Sequence, residues 1–185
     1  MTGLIILAVV VAIIGYGIYL YNDLVSKRQL KEEGWSGIDV QLKRRSDLIP
    51  NLLETVKGYM GHERETLEAV VKARAAATSG ANASPEERAK LEGQLSGALG
   101  KLLAVAEAYP DLKANTTFLE FQQALQTVED ELQMSRRYYN GAARNLNVAV
   151  ESFPSTVVAN AFKFEKAQFF ELENEADRAV PTVKF

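Results

Sequence analysis

Cysteine is absent from the 185 residues. That excludes disulfides, thiolate metal sites and a cysteine nucleophile, and it leaves the redox compartment open. Histidine occurs once, as His62, so no zinc triad can be built from histidines. His62-Glu63 opens the H-E-x-x-H pattern, but Thr66 stands where its second histidine is required. A di-iron bundle needs paired E-x-x-H motifs, and the position three before His62 is Tyr59. The glycines of GQLSGALG (93–100) lie inside a helical pattern without the Lys-Ser/Thr of a phosphate loop. No serine sits in a nucleophile-elbow context. Net charge is only −3, which advertises no nucleic-acid surface. No stretch alternates apolar and polar residues long enough for a sheet.

Charge is missing from the start of the chain: no charged side chain precedes Asp23. Leu4 to Leu20 is apolar apart from two glycines and two tyrosines. With Tyr21 and Asn22 this makes about 20 residues, enough to cross a hydrocarbon core of ~30 Å as a helix. Tyr16, Tyr19 and Tyr21 gather at its far end, where aromatic rings favour the lipid–water boundary. A cleaved secretory signal would carry a basic n-region and a small-residue cleavage site, and neither is present, so residues 1–22 read as a retained anchor. Lys27, Arg28 and Lys31 follow the apolar run, while its N-terminal side has no Lys or Arg. Basic residues stay inside during insertion, which places the N-terminus out and residues 23–185 in the cytoplasm.

Beyond the anchor, spacing of three and four dominates. From Asn22 to Glu33 nothing breaks a helix, and Gly34 and Gly37 around Trp35 mark a flexible joint. Trp35, Ile38, Leu42, Arg45, Ile49, Leu52, Val56, Tyr59, Glu63, Leu67 and Val70 then form one helical seam, predicted to run to about Ala77. Pro50 cannot donate to Ser46, which predicts a kink or an open turn inside that helix. TSGANA (78–83) reverses the chain. Ser84-Pro85-Glu86-Glu87 is a strong helix start. The next seam is Leu91, Leu95, Ala98, Leu102, Val105 and Tyr109, closed by Pro110-Asp111. Ala89, Gly93 and Gly97 form a stripe that would let another helix approach, within the domain or between subunits. Thr117 and Glu120 are spaced as a second capping box. A last long seam runs from Phe118 through Leu125, Leu132, Tyr139 and Leu146 to Phe153, and Pro154 stops it. A short helix over 155–164 and the aromatics Phe164, Phe169, Phe170 and Phe185 complete the chain. The expected fold is all-α: a single transmembrane helix followed by an antiparallel bundle of three to four long helices.

Lys43-Arg44-Arg45 is the densest basic spot. Continuous helix past Tyr21 would carry it ~30 Å from the membrane, several Debye lengths away. Arg45 and Asp47 are therefore candidates for a polar network between helices, with Asp47 capping a restarted helix at Pro50 as the alternative. Arg136, Arg137, Tyr138 and Tyr139 sit mid-helix and suit packing rather than nucleic acid.

YNDLVSKRQL (21–30), WSGIDVQLKRRSDLIPNLLETVKGYMGHERETLEAVVKARA (35–75), ARNLNVAVESFPSTVVANAFKF (143–164) and the closing VPTVKF resemble the LemA family. The likeness spans essentially the chain from the anchor to Phe185 and departs at Ser46, where an aromatic residue is expected. It implies a single-pass membrane protein with a cytoplasmic helical bundle; it implies no reaction, and links only loosely to envelope stress. The expectation is a non-enzymatic scaffold at the inner membrane, coiled-coil-like and homo-oligomeric, or alternatively a regulatory adaptor of a membrane enzyme such as a protease. The bilayer, further copies of the chain and a protein in the membrane are the expected partners, with no nucleic acid, small-molecule substrate, cofactor, metal or catalytic residue. Trp35, Arg45, Asp47, Pro50, Gly93 and Gly97 are the candidate packing residues; Leu4, Tyr16, Tyr19, Leu20 and Tyr21 are those of the anchor.

Overall fold

The computed structural model describes residues 1–171; the closing 180–185 segment with Phe185 lies outside them. Every regular element among the described residues is helical: α1 (Thr2–Lys57), α2 (Arg64–Ser79), α3 (Pro85–Ala106), α4 (Pro110–Lys113), α5 (Thr116–Glu151) and α6 (Ser155–Ala161). Two compact units draw on both long helices. The first contains Met1–Ile38 and Met134–Phe169, the second Asp39–Gln133 with Phe170.

In the first unit, α1 and α5 run antiparallel and very close. A Cβ on Gly34 would lie 2.9 Å from Tyr139 Cα and 3.0 Å from the Tyr138 ring. The glycine is therefore a contact surface and not a joint, and α1 continues unbroken through Gly34 and Gly37. Trp35 packs its ring 5.3 Å from that of Tyr139. Farther along, Leu24, Leu146, Ala149, Val150 and Ala159 form a small core. Asn147 clamps the extended chain after α6: its side chain donates to Ala167 O at 2.9 Å and accepts from Ala167 N at 2.7 Å. Tyr139 Oη donates to Gln168 O at 2.8 Å. The long seam of α5 is buried at Tyr139, Ala142, Leu146 and Ala149, but its expected last member, Phe153, is 83% exposed.

The second unit packs the end of α1, α2, α3 and the start of α5 around Ile49, Leu52, Val56, Met60, Val70, Leu95, Leu102 and Phe118. The long helix ends at Lys57, not near Ala77. Gly58 and Gly61 sit in the break, and each interior glycine costs a helix about 1 kcal/mol. Seam spacing alone could not show this, because Met60 turns inward and supplies the next buried side chain. Tyr59 and Glu63 fall in the connection, where they bond Asn115 and Tyr109. Pro50 does not open the helix. The carbonyl it deprives, Ser46 O, accepts from Arg74 Nε on α2 at 2.9 Å.

Two boundary expectations are also corrected. Asn115, not Thr117, caps α5, its Oδ1 accepting from Phe118 N at 3.0 Å. Pro110 opens α4 instead of closing α3, which stops at Ala106. The apolar seam of α3 faces the core, with Leu95 and Leu102 buried and Ala98, Val105 and Tyr109 packed against it, and the buried face extends to Arg88, Ala89, Glu92, Leu99 and Ala106. Ser84 caps α3 as expected, accepting from Glu87 N at 3.3 Å.

Two outcomes are expected in detergent unfolding. Gly34→Ala destabilises by about 1–3 kcal/mol, since the backbone of Tyr139 must move, whereas Gly141→Ala in α5, whose Cβ meets nothing within 4 Å, stabilises by about 0.5–1 kcal/mol. Arg74→Met costs about 1–2 kcal/mol in the parent. In a Pro50→Ala background the restored N–H satisfies Ser46 O, and a double-mutant cycle shows coupling of about 1 kcal/mol.

Candidate functional site

Two regions gather chemistry, one in each unit. In the second unit the helices enclose a charged cluster. Arg45 is 2% exposed and Glu92 4%. Arg45 reaches three groups: Glu129 Oε2 on α5 at 3.2 Å, Glu92 O on α3 at 3.1 Å and Ser96 Oγ at 2.7 Å. Arg88, also buried, pairs with Asp39 and donates to Ala81 O at 3.1 Å. The planar guanidinium suits this role, since its fixed fork of donors can serve acceptors on two helices at once.

Burial pushes the Glu92 carboxyl above its ordinary range; the charges of Arg45 and Arg88 oppose that shift, and Glu129 adds to it. Glu92 Oε2 and Arg45 Nε are buried without a hydrogen-bond partner among the described residues. Through these bonds the cluster links α1, α3 and α5. It does chemistry of position: it locks α1, α3 and α5 in one register, because a shifted helix would leave a charge buried and alone.

Asp47 does not join it. That carboxylate is on the surface, paired with Lys43 at 3.0 Å in mid-helix, so it neither bridges helices nor caps one. Arg44 pairs with Glu131 at 3.0 Å. The basic triplet is thus taken up by acids of its own unit. Pro50 is half-buried, Gly93 half-buried and Gly97 exposed. His62 is exposed in the α1–α2 connection, and no group of three metal-ligating side chains occurs among the described residues.

In the first unit, α1 begins with a surface of another kind. Residues 1–16 are all exposed, and α1 is long and apolar enough to cross a membrane, the share of that stretch buried within the protein being 0%. Leu4, Tyr16 and Tyr19 are exposed, with the two tyrosine rings stacked 6.3 Å apart. Leu20 and Tyr21, at the end of the expected anchor, are the first of its residues to pack against the rest of the unit. Leu20 is buried, and the Tyr21 ring lies 4.8 Å from Phe162 and 5.8 Å from Phe164.

The LemA family model matches residues 34–185, the whole chain from the Gly34 contact onward. The chain belongs to the LemA family. Among its relatives is Protein LemA of Metamycoplasma hominis, 27% identical over 150 residues, covering 81% of this chain and 68% of the relative. Magnetosome protein MamQ 2 of Paramagnetospirillum magneticum is 24% identical over 94% of this chain and 72% of its own. Magnetosome protein MamQ of Magnetospirillum gryphiswaldense is 22% identical over 88% and 68%. In this LemA-family chain the spacing reading found Arg45 and missed Arg88, Glu92 and Asn147. The signal for the first two is their place at i, i+4 in line with Leu95 and Leu99, which marks a face of α3 that charged side chains share with the core. Asn147 clamps an irregular segment, and no periodicity reports such a partner.

Arg45→Ala is expected to cost about 3 kcal/mol, since it removes three hydrogen bonds at once and leaves the Glu92 carbonyl and the Ser96 hydroxyl without that donor. Burial favours protonated Glu92 in the folded state, so above pH 4.5 the folded protein binds more protons than the unfolded chain. The stability owed to this carboxyl is therefore lost as pH rises. Glu92→Gln removes that loss, and its melting temperature should gain on the parent's between about pH 5 and about pH 8. A difference that stays constant across that range would refute the assignment.

Proposed function

We propose that the protein is a membrane-anchored, non-enzymatic helical scaffold that self-associates or binds partner proteins at the inner face of the cell membrane. The observation that carries this reading is the continuity of α1. One helix runs from a wholly exposed apolar stretch into both packed units without a break, so whatever holds the stretch in lipid also holds the bundle at the surface. Lys27, Arg28 and Lys31 on the bundle side, against no Lys or Arg before them, support an N-terminus outside and a cytoplasmic bundle.

The self-association part rests on α3, where a Cβ on Gly97 or Gly100 meets nothing within 4 Å and a neighbouring helix of a second copy has room to approach closely. The polar cluster around Arg45 supports a positional role over a chemical one.

The full-length protein is extracted in mild detergent or nanodiscs, and the mass of the particle is measured by light scattering with co-eluting proteins identified. A closed homo-oligomer that Gly97→Leu breaks to monomer supports the scaffold. A monomer carrying a stoichiometric membrane enzyme replaces it with an adaptor, and a lone monomer in both variants refutes self-association.

A further inference from the structure

The anchor leaves one group of side chains unexplained. Phe153, Val157 and Phe162 are 83%, 60% and 62% exposed, and they share the short corner from the end of α5 through α6. Single exposed apolar residues are ordinary; three large ones on one corner are not. Their level along α1 follows from the antiparallel register of the first unit. Gly34 abuts Tyr139, Gly37 lies beside Ser135, and Leu24 packs with Ala149. α5 ends at Glu151, two residues past Ala149, so the corner that holds Phe153 continues beyond the level of Leu24 toward the start of α1. The Phe162 ring rests against Tyr21 at 4.8 Å. Leu20 and Tyr21 are where the exposed apolar surface of α1 ends. The corner thus stands at the depth where a spanning α1 leaves the hydrocarbon.

The next turns of the same unit are cationic. A cleft of about 260 Å³ is lined by Arg28, Lys31, Lys163 and Lys166, with Glu165 its one acid. Lys166 is paired with Glu151 at 2.6 Å, and Lys27 nearby is paired with Asp23. Arg28 stacks over the Phe164 ring, 5.3 Å from its centroid. Arg28 lies seven residues past Tyr21, ~10 Å along the helix, a distance that a long arginine side chain can span. Lys163 follows α6 with a φ of 56°, a left-handed conformation that glycine adopts without steric cost. A lysine is held there all the same, at the rim of the cleft.

Resting on the reading of α1 as a membrane anchor, we propose that the α5–α6 corner is a second membrane contact. Phe153, Val157 and Phe162 enter the interfacial layer beside the anchor, and Arg28, Lys31 and Lys163 bind the phosphates of anionic lipids. An apolar tip next to a basic patch is the two-signal arrangement that holds peripheral segments on charged bilayers.

The cysteine-free chain suits the test. Full-length V10C, E32C and V157C are labelled with an environment-sensitive fluorophore in vesicles of phosphatidylcholine, alone or mixed with phosphatidylglycerol. Quenching by spin-labelled lipid is compared with quenching by aqueous iodide. Lipid quenching at V10C and V157C, with iodide quenching at E32C, is the expected result. Iodide quenching at V10C defeats the anchor and this inference with it. A lipid-quenched V10C beside a V157C quenched only by iodide, or shielded from both quenchers by a second copy, overturns the inference alone. For the cations, K163G in mixed nanodiscs should retain about fivefold less phosphatidylglycerol relative to phosphatidylcholine by native mass spectrometry, with no fall in melting temperature, because glycine relieves the backbone. An unchanged lipid ratio overturns the headgroup assignment.

Discussion

The structure depends on α1 staying helical from Thr2 to Lys57. In hydrocarbon the backbone has no water to bond, so an apolar spanning stretch must satisfy its own amides as a helix. Beyond that stretch the requirement lapses, and the helix continues only if side-chain packing holds it. The weakest point is Pro50, which removes one backbone bond and crowds a carbonyl. The remedy is tertiary: Arg74 turns its Nε to the orphaned Ser46 carbonyl. A proline that would break an isolated helix is tolerated because α2 folds back alongside it. The same helix then stops at Gly58, where no comparable support compensates for the glycines.

Close approach and buried charge divide the task of alignment. In the first unit the fit is steric. Gly34 lets the α5 backbone in, Tyr139 fills the space beside Trp35, and the Tyr139 hydroxyl reaches on to Gln168. Burial raises that phenol's pKa, so it remains a donor across the physiological range. In the second unit the fit is electrostatic. Apolar seams slide with little penalty, because one leucine replaces another. Arg45 does not slide, because Glu129, Ser96 and the Glu92 carbonyl sit at fixed heights on two other helices. A hydrophobic replacement of the whole cluster could match its stability; what it would lose is that fixed height.

What was legible from residue spacing follows from what spacing encodes. A face of a helix repeats every three or four residues, so Ile38, Leu42, Arg45, Ile49, Leu52 and Val56 were placed correctly, and all are buried. Helix identity and the apolar start were readable for the same reason. Helix ends were not, where a turn happened to preserve phase: Met60 takes the inward position that Tyr59 was expected to hold. Local chemistry decided Ser84, whose cap lies within three residues. Partner-dependent features stayed hidden. Gly34 looks like a hinge until Tyr139 is seen against it, and Asp47 looks like a bridge until Lys43, one turn away, is seen to hold it.

The distribution of exposed apolar side chains brings these strands together. A bundle that only needed to be soluble would bury the ends of its seams. The second unit does so at Phe118, which is 1% exposed. The last residue of the α5 seam does the opposite, and Phe153 shares that exposure with Val157, Phe162 and the run from Leu4 to Tyr19. All of these belong to the first unit. Val71 and Leu119 of the second unit are exposed singly, whereas a cluster of large exposed apolar side chains marks a surface of interaction. The lone basic side chains Arg28, Lys31 and Lys163 stand beside the same residues, whereas the basic triplet at Lys43 is neutralised by its own acids. Arg28, Lys31 and Lys163 beside exposed apolar surface, and Lys43, Arg44 and Arg45 each met by a carboxylate, are what a boundary between lipid and water selects.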